Sequence, residues 1–212
     1  MATSTPYVIH ALPGLTEFSG DGVLVASPRG RILDAMTATV AELGYAATSI
    51  AEVIKRAHAS RSTFYEQFAD KEDCYLAAYQ LASNYVATQI GTAARSSPPN
   101  LADRLAQIYD TFLGELARYP LAARAFLVEI RAAGAPSQQH HRAVNDQFAE
   151  LLMVPGSDDD PLMRIAAIAA SEEIVVREIT DNGAKNLPRL AAPLTHLAMR
   201  ILTPASRAGR PR

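Results

Sequence analysis

Apolar residues recur at helical spacing along almost the whole chain, and this feature narrows the possible folds more than any other. Intervals of three and four residues place side chains on one face of a helix. The first such face is formed by Ile32, Met36, Val40 and Leu43. Strand-like alternation is limited to two short, ambiguous pieces, 7–9 and 22–26. The sequence therefore predicts an all-α fold.

Capping and breaking residues predict where about nine helices begin and end. Ser49 and Glu52 have the spacing of a capping box, in which each side chain accepts the other residue's free backbone amide. Residues suited to an N-cap also precede four later segments, at Ser60, Asp70, Asn100 and Asp160. Pro120 opens a helix that the Gly134–Pro136 segment ends. Pro193 lies inside the last helix, which should kink or start late.

The composition agrees with a packed, water-soluble protein. Of the 212 residues, 49% are apolar, which is enough for a core. No stretch reaches the roughly 18 uninterrupted apolar residues of a membrane span. Residues 1–18 have no basic segment before an apolar run and do not resemble a secretory signal. We therefore expect a cytoplasmic protein with no membrane partner.

Charge and cysteine content exclude a chain covered with cations and a chain stabilised by disulfides or by a multi-thiolate zinc site. The 20 Lys and Arg residues face 22 Asp and Glu residues, for a net charge of −2. The chain is therefore not coated with cations, and any DNA binding must come from a local patch. Cys74 is the single cysteine, which excludes an internal disulfide and a multi-thiolate zinc site.

The segment from Thr48 to Lys71 has the organisation of a helix-turn-helix. Two short capped helices are joined by a tight turn over residues 57–60, and the second helix of such a motif can enter a major groove. At about 100° per residue, Phe64 and Phe68 lie within about 40° of each other and face the core. The outward face carries Ser62, Thr63 and Glu66, with Arg61 and Tyr65 on its flanks. Periodicity alone also allows an ordinary helical corner with a solvated outer face.

Residues 29–76 resemble the DNA-binding domain of the tetracycline-repressor (TetR) family of transcriptional regulators. The resemblance is carried by Ile32-Leu33-Asp34-Ala35, Leu43-Gly44-Tyr45, Ala47-Thr48-Ser49-Ile50, Ile54, Ala57, Ser60, Thr63-Phe64-Tyr65-Glu66-Gln67-Phe68 and Lys71-Glu72. The Thr-Phe-Tyr-x-x-Phe-x-x-Lys-Glu run is highly specific. Beyond this region, the helical remainder is similar to the family's regulatory domain in length and character.

The resemblance implies a ligand-responsive repressor that binds a palindromic operator in double-stranded DNA as a homodimer and is released by a small, mostly apolar effector. The helix after Ser60 would read DNA, with Tyr65 and Lys71 on phosphates. The residues expected to contact DNA are Thr48, Ser49, Arg61, Ser62, Thr63, Tyr65, Glu66 and Lys71. Two positions depart from the family pattern. His58 replaces a usual Gly, and Glu66 stands where a basic or aromatic residue is common.

This interpretation divides the chain into four parts. A flexible arm (residues 1–26) precedes the helix-turn-helix domain (27–73). A regulatory and dimerisation domain (74–203) and a flexible basic tail (204–212) follow.

The dimer seam is expected from the helices over 161–181 and 187–202, where small residues permit close approach and larger ones form an apolar stripe. These residues are Ala166, Ala169, Ala170, Leu190, Leu194, Leu197 and Ile201. Glu172 falls about 20° from Ile165 on the first of these helices. Glu172 lies either at the solvent-exposed edge of the dimer seam or in a ligand cavity, where it would be a polar anchor.

The helices of the regulatory domain carry more large apolar side chains than a small bundle needs, which predicts an internal ligand pocket. Its expected border is Tyr109, Phe112, Phe126 and Phe148, with Glu129 or Glu172 near its polar end. A filled core made of the same residues is the alternative.

No pattern in the sequence supports catalysis, a metal site or a cofactor. Residues 158–160, a run of Asp, suit a loop before a helix better than a metal site. His140 and His141 are adjacent on a helix and point roughly 100° apart, so joint ligation is not expected. Cys74 suits a small buried filler better than a reactive thiol. The alternative to a regulator is a helical small-molecule-binding or enzymatic protein that has lost DNA recognition.

Overall fold

The computed structural model describes residues 11–13, 27–96, 100–152 and 160–203, and within these ranges every regular element is helical. The prediction of an all-α fold is therefore confirmed. The α-helices of the described ranges are α1 (Pro28–Leu43), α2 (Ile50–Arg56), α3 (Arg61–Gln67), α4 (Lys71–Ser96), α5 (Leu101–Arg118), α6 (Pro120–Ala123), α7 (Ala135–Leu151), α8 (Pro161–Asn182) and α9 (Ala191–Leu202).

The predicted N-caps are formed. Both halves of the Ser49–Glu52 capping box are present, and Ser60 Oγ accepts the N–H of Thr63 at 3.0 Å. Asp70, Asn100 and Asp160 each accept a backbone N–H of the following turn at 2.9 Å. These side chains satisfy amides that have no partner inside their own helix, which fixes where the helices begin.

Two helices differ from a regular α-helix. The helix that Pro120 opens is α-helical for four residues only; it widens into a π turn (Arg124–Val128) and then tightens into a 3₁₀ turn (Glu129–Ala132). The last helix is preceded by a 3₁₀ segment (Ala184–Leu190). The α-helix thus starts late, as predicted, and Pro193 lies in its first turn, where a missing N–H costs no internal hydrogen bond.

The chain forms two compact units. The first comprises Met1–Tyr85 and Arg118–His141, and the second comprises Val86–Ala117 and Arg142–Arg212. The core of the first unit includes Ile32, Met36, Phe64, Phe68 and Tyr75, and that of the second includes Leu105, Leu113, Leu152, Leu187 and Leu194. The functional boundary predicted after residue 73 does not coincide with this division, because residues 118–141 pack with the N-terminal helices.

Residues 11–13 depart from the flexible arm expected over 1–26. Ala11 and Leu12 are buried, and both backbone N–H groups donate to the Asp34 carboxylate, at 2.8 and 2.9 Å. A buried carboxylate needs such donors to offset the loss of water, so this short piece is held against α1. The other residues of the expected arm, and the expected tail at 204–212, lie outside the described ranges.

Over the part of the chain that the structure describes, no helix combines the length and the apolar character needed to cross a membrane.

Candidate functional site

The turn between α2 and α3 is closed by backbone hydrogen bonds and by one unusual residue. Ala57 N–H donates to Val53 O at 2.8 Å, and Ala59 N–H donates to Ile54 O at 3.0 Å. His58, between them, has a φ of 50°, in the left-handed region that favours glycine. The histidine therefore tolerates the geometry for which the family pattern uses glycine.

Helix α3 has one buried face and one exposed face. Phe64 and Phe68 are buried with ring centroids 5.6 Å apart, as the sequence predicts. Tyr65 remains 52% exposed, and its ring meets the Phe64 ring edge to face, with the ring centroids 5.4 Å apart. On the far side, Arg61, Ser62 and Glu66 are exposed and Thr63 is half-buried. The buried face fixes the rotation of the helix, and the exposed face is available to a partner.

Three hydroxyl groups meet at the start of α3. Ser60 Oγ lies 2.7 Å from Ser62 Oγ and 2.8 Å from Thr63 Oγ1, while it also accepts the Thr63 amide. A hydroxyl both donates and accepts, so the cluster can reorient its protons towards either a donor or an acceptor of a partner.

Lys71 is more enclosed than a surface cation. Its ammonium donates to Tyr45 O at 3.0 Å and to Thr48 O at 3.1 Å, and it lies 4.3 Å from the centre of the Tyr45 ring. These carbonyls use two of its three donors. Lys71 thus supports the loop between α1 and α2.

The two remaining predicted DNA contacts, Thr48 and Ser49, lie in that same loop. Thr48 is buried, and its hydroxyl donates to Gly44 O at 2.8 Å. Ser49 is exposed and its hydroxyl bonds to Glu52 at 2.8 Å within the capping box. Of the predicted set, therefore, Thr48 is the residue whose side chain lies beneath the surface.

Two arginines of α1 hold the helix-turn-helix, and sequence reasoning had not assigned them this role. Arg31 Nε donates to Ala57 O at 3.2 Å, and the Arg29 guanidinium lies 4.5 Å from the centre of the Phe68 ring. Both contacts join residues more than twenty positions apart, so no local sequence pattern predicts them. A third contact is an exposed ion pair in which Arg56 holds the pKa of Glu42 below its usual value.

Phe126 and Glu129, predicted at the border of a ligand pocket, belong to the first compact unit. Phe126 is buried and stacks on Tyr79 at 5.1 Å. The Tyr79 hydroxyl in turn lies 2.6 Å from His141 Nδ1. Glu129 accepts the backbone N–H of Tyr45 at 3.2 Å.

The other four predicted pocket residues belong to the second unit. The Tyr109 hydroxyl lies 2.8 Å from Ser171 Oγ, and burial raises its pKa. Phe112 and Phe148 have ring centroids 6.1 Å apart. Glu172 accepts a hydrogen bond from the Asn145 side chain. The polar groups on these otherwise apolar helix faces are therefore paired with one another.

The described residues hold no group of three His, Cys, Asp or Glu side chains that could bind a metal ion. Cys74 is buried, and burial raises the pKa of its thiol far above the usual range. A thiol of this kind stays protonated and unreactive.

Two short capped helices, of which the second is buried on one face and exposed on the other, form a helix-turn-helix motif. Residues 32–78 match the family described as bacterial regulatory proteins, tetR family. The matched segment runs from α1 to the first turns of α4 and contains the helix-turn-helix.

Solved structures share the fold over most of this chain. The fatty acid degradation regulator FadR from Bacillus halodurans is 20% identical with a TM-score of 0.73, and the match covers 82% of this chain and 96% of that chain. FadR from Bacillus subtilis, solved in complex with stearoyl-CoA, is 18% identical with a TM-score of 0.69, over 82% and 98%. A tetR-family regulatory protein from Rhodococcus RHA1 is 20% identical with a TM-score of 0.63, over 86% and 100%. No curated protein matches the chain.

Proposed function

We propose that this protein is a TetR-family transcriptional regulator: a ligand-responsive repressor that binds a palindromic operator as a homodimer and is released by a small, mostly apolar effector. The observation that supports this proposal is that helix α3 has one buried face and one exposed face. Phe64 and Phe68 anchor its inner face, while its outer face offers short hydrogen-bonding side chains of the kind that read base edges in a major groove.

The contacts to DNA divide into reading and positioning groups. Ser62, Thr63 and Glu66 read base edges together with Arg61, and the Glu66 carboxylate accepts from cytosine N4. Tyr65 and the remaining donor of Lys71 bind phosphates, which orients the helix without specifying sequence. Ser49, exposed at the N-cap of α2, is also proposed to contact DNA, and the Thr48 carbonyl holds Lys71 in place.

A selection from a random duplex pool tests this assignment, since the operator sequence is unknown. The selected duplex and a scrambled duplex of equal composition are then titrated with wild type and with Thr63→Ala. We expect the variant to lose roughly 1–3 kcal/mol on the selected duplex only. Gln67→Ala, an exposed change on the same helix outside the proposed contacts, is the control. If the pool yields no preferred sequence, the chain is a helical ligand-binding protein that has lost DNA recognition.

Dimerisation is proposed because one reading head buries too little surface for operator affinity, and two heads must lie about one helical turn or a multiple apart. Helix α8 exposes Leu162 and Ile165, at 61% and 45%, on the side that also carries Ala166 and Ala169. Leu190, which directly precedes α9, and Leu197 and Ile201 on α9 are half-buried and available to the same seam. Leu194 is buried in the core of its own chain and is left out of it.

The effector site is proposed in the second unit, around Tyr109, Phe112, Phe148 and Glu172. Aromatic walls with a few paired polar groups suit an apolar ligand that has one polar end. The stearoyl-CoA bound by the Bacillus subtilis regulator of the same fold supports the choice of a long-chain acyl compound as the first probe.

Phe112→Ala, measured together with a ligand-induced thermal shift, tests the effector site. Truncating a phenylalanine in a solid core costs about 3–5 kcal/mol, whereas a half-buried one such as Phe112, or one that lines a void, costs less. We expect the smaller loss, together with a thermal shift of wild type by the acyl probe that the variant weakens. Leu113→Ala, at a neighbouring and fully buried position, should cost about 2–5 kcal/mol. A full loss at Phe112 with no stabilising ligand would contradict the proposed site.

A further inference from the structure

Arg124 and Glu129 contact the end of α1 and the loop that leads to α2. Arg124 Nε donates to Ala41 O at 3.0 Å, and Tyr45 N–H donates to Glu129 Oε2 at 3.2 Å. The two side chains also face each other, with 3.6 Å between Arg124 Nη2 and Glu129 Oε1. Together they hold one carbonyl and one amide on either side of the point where α1 ends.

Gly44 permits this close approach. It has a φ of 84°, and a Cβ added there would lie 3.1 Å from Glu129 Oε2. The carboxylate therefore occupies the space beside the backbone that a larger residue would need. The Glu129 side chain is only 16% exposed, so its bond to the Tyr45 amide is sheltered from competition by water.

The π turn is what brings Arg124 and Glu129 to one face. The N–H of Glu129 donates to the carbonyl of Arg124, the five-residue hydrogen bond of a π-helix. Residues joined in this way lie one above the other. In a regular α-helix, residues five apart would be separated by roughly 140° around the axis, and the two side chains could not serve the same loop.

The loop they hold leads directly to the reading helices. The Tyr45 ring packs on Tyr75 at 4.8 Å, and the Tyr45 and Thr48 carbonyls accept from Lys71. The capping box that starts α2 follows at Ser49. A shift of the Tyr45 backbone would therefore be passed on to Lys71 and to the start of α2.

We propose that Arg124 and Glu129 are positioning residues for DNA binding: they form a latch, from the π turn to the α1–α2 loop, that holds the helix-turn-helix in its operator-binding orientation. Neither residue touches DNA. The proposal rests on the proposed function, because it assigns these two residues a part in operator recognition.

The latch is tested with Glu129→Ala and with Glu129→Gln, which keeps an oxygen to accept the Tyr45 amide. We expect Glu129→Ala to lower affinity for the selected duplex about 5–20-fold, within the usual range of coupling between distant sites. Affinity for the scrambled duplex stays unchanged, and Glu129→Gln recovers most of the loss. Arg124→Met lowers operator affinity too, and the double variant loses less than the sum of the two single losses, because both residues hold the same loop. Glu173→Ala, at an exposed ion pair of the second unit, is the matched control. Unchanged operator affinity, or an equal loss on both duplexes, overturns the proposal.

Amide hydrogen exchange gives a readout that does not need DNA. Exchange at the Tyr45 amide should accelerate at least about tenfold in Glu129→Ala, while the Ala57 amide, bonded to Val53 O, keeps its wild-type rate. If wild type selects no duplex, the proposed function fails, and this measurement alone decides whether the latch exists. Tyr45 protection that survives Glu129→Ala overturns it.

Discussion

His58 adopts a backbone conformation that its side chain does not favour. Its φ of 50° lies in the left-handed region, where a Cβ crowds the neighbouring carbonyl at a cost of roughly 1–2 kcal/mol. Histidine is among the residues found there more often than most, which explains how the turn closes without glycine. The strain lies in the turn that sets the angle between α2 and α3, and therefore bears directly on the reading helix.

Replacing His58 with glycine should relieve this strain. We expect His58→Gly to raise the free energy of unfolding by about 0.5–1 kcal/mol, since the relief exceeds the extra freedom that glycine has in the unfolded chain. Urea titration followed by circular dichroism measures the change. His58→Ala keeps the Cβ and should show no gain. A gain in the alanine variant as large as that in glycine would mean that loss of the imidazole, rather than backbone relief, is responsible.

Contacts between residues near one another in the sequence were predictable, whereas contacts between distant residues were not. A capping box such as Ser49 with Glu52 spans four residues of chain, and the burial of Phe64 and Phe68 follows from one helical period. By contrast, Lys71 bonds to a carbonyl twenty-six positions away. The sequence therefore predicts its charge and approximate place but not the loop that encloses it.

The existence of the helices could be predicted from the apolar periodicity, but the irregular shape of the helix after Pro120 could not. A π turn adds a single residue to a helical turn, so Phe126 and Ile130 keep a spacing that an α-helix also allows. The local widening shows only in the backbone bonds of the folded chain. The short piece 11–13 was missed for a related reason, because its anchor, Asp34, lies more than twenty residues away.

Lys71 joins helix α4 to the α1–α2 loop and is also proposed to bind phosphate, so its removal should have two separable effects. We expect Lys71→Ala to lower stability by about 1–3 kcal/mol through the lost charged hydrogen bonds, and to flatten the salt dependence of duplex binding by about one unit. Lys71→Arg keeps the charge and should keep the slope. A thermal melt and a salt titration measure the two effects. If stability falls while the slope is unchanged, Lys71 only supports the loop.

For the molecule as a whole, the order of helices was predictable but their grouping was not. Breakers such as Asn100 and Pro120 mark the ends of elements along the chain. Residues 118–141 nevertheless join the N-terminal helices in one compact unit, a consequence of packing between segments far apart in sequence. The predicted pocket residues were accordingly divided, with Phe126 and Glu129 in one unit and Tyr109, Phe112, Phe148 and Glu172 in the other.

The proposed dimer can be tested with two isoleucines of α8 that are both partly exposed, Ile165 at 45% and Ile174 at 38%. They lie nine residues apart, about 180° around the helix, so only Ile165 shares a side with Leu162 and Ala169. An interface of ordinary size buries about 800 Å² on each partner, and a carboxylate placed within it would be desolvated without a partner. We expect Ile165→Glu to be monomeric at micromolar concentration by light scattering and to lose affinity for the selected duplex, because a single head remains. Ile174→Glu, the same change on the opposite side, should stay dimeric and keep its affinity. A wild-type monomer, or an Ile165→Glu variant that is still dimeric, would place the seam elsewhere or remove it.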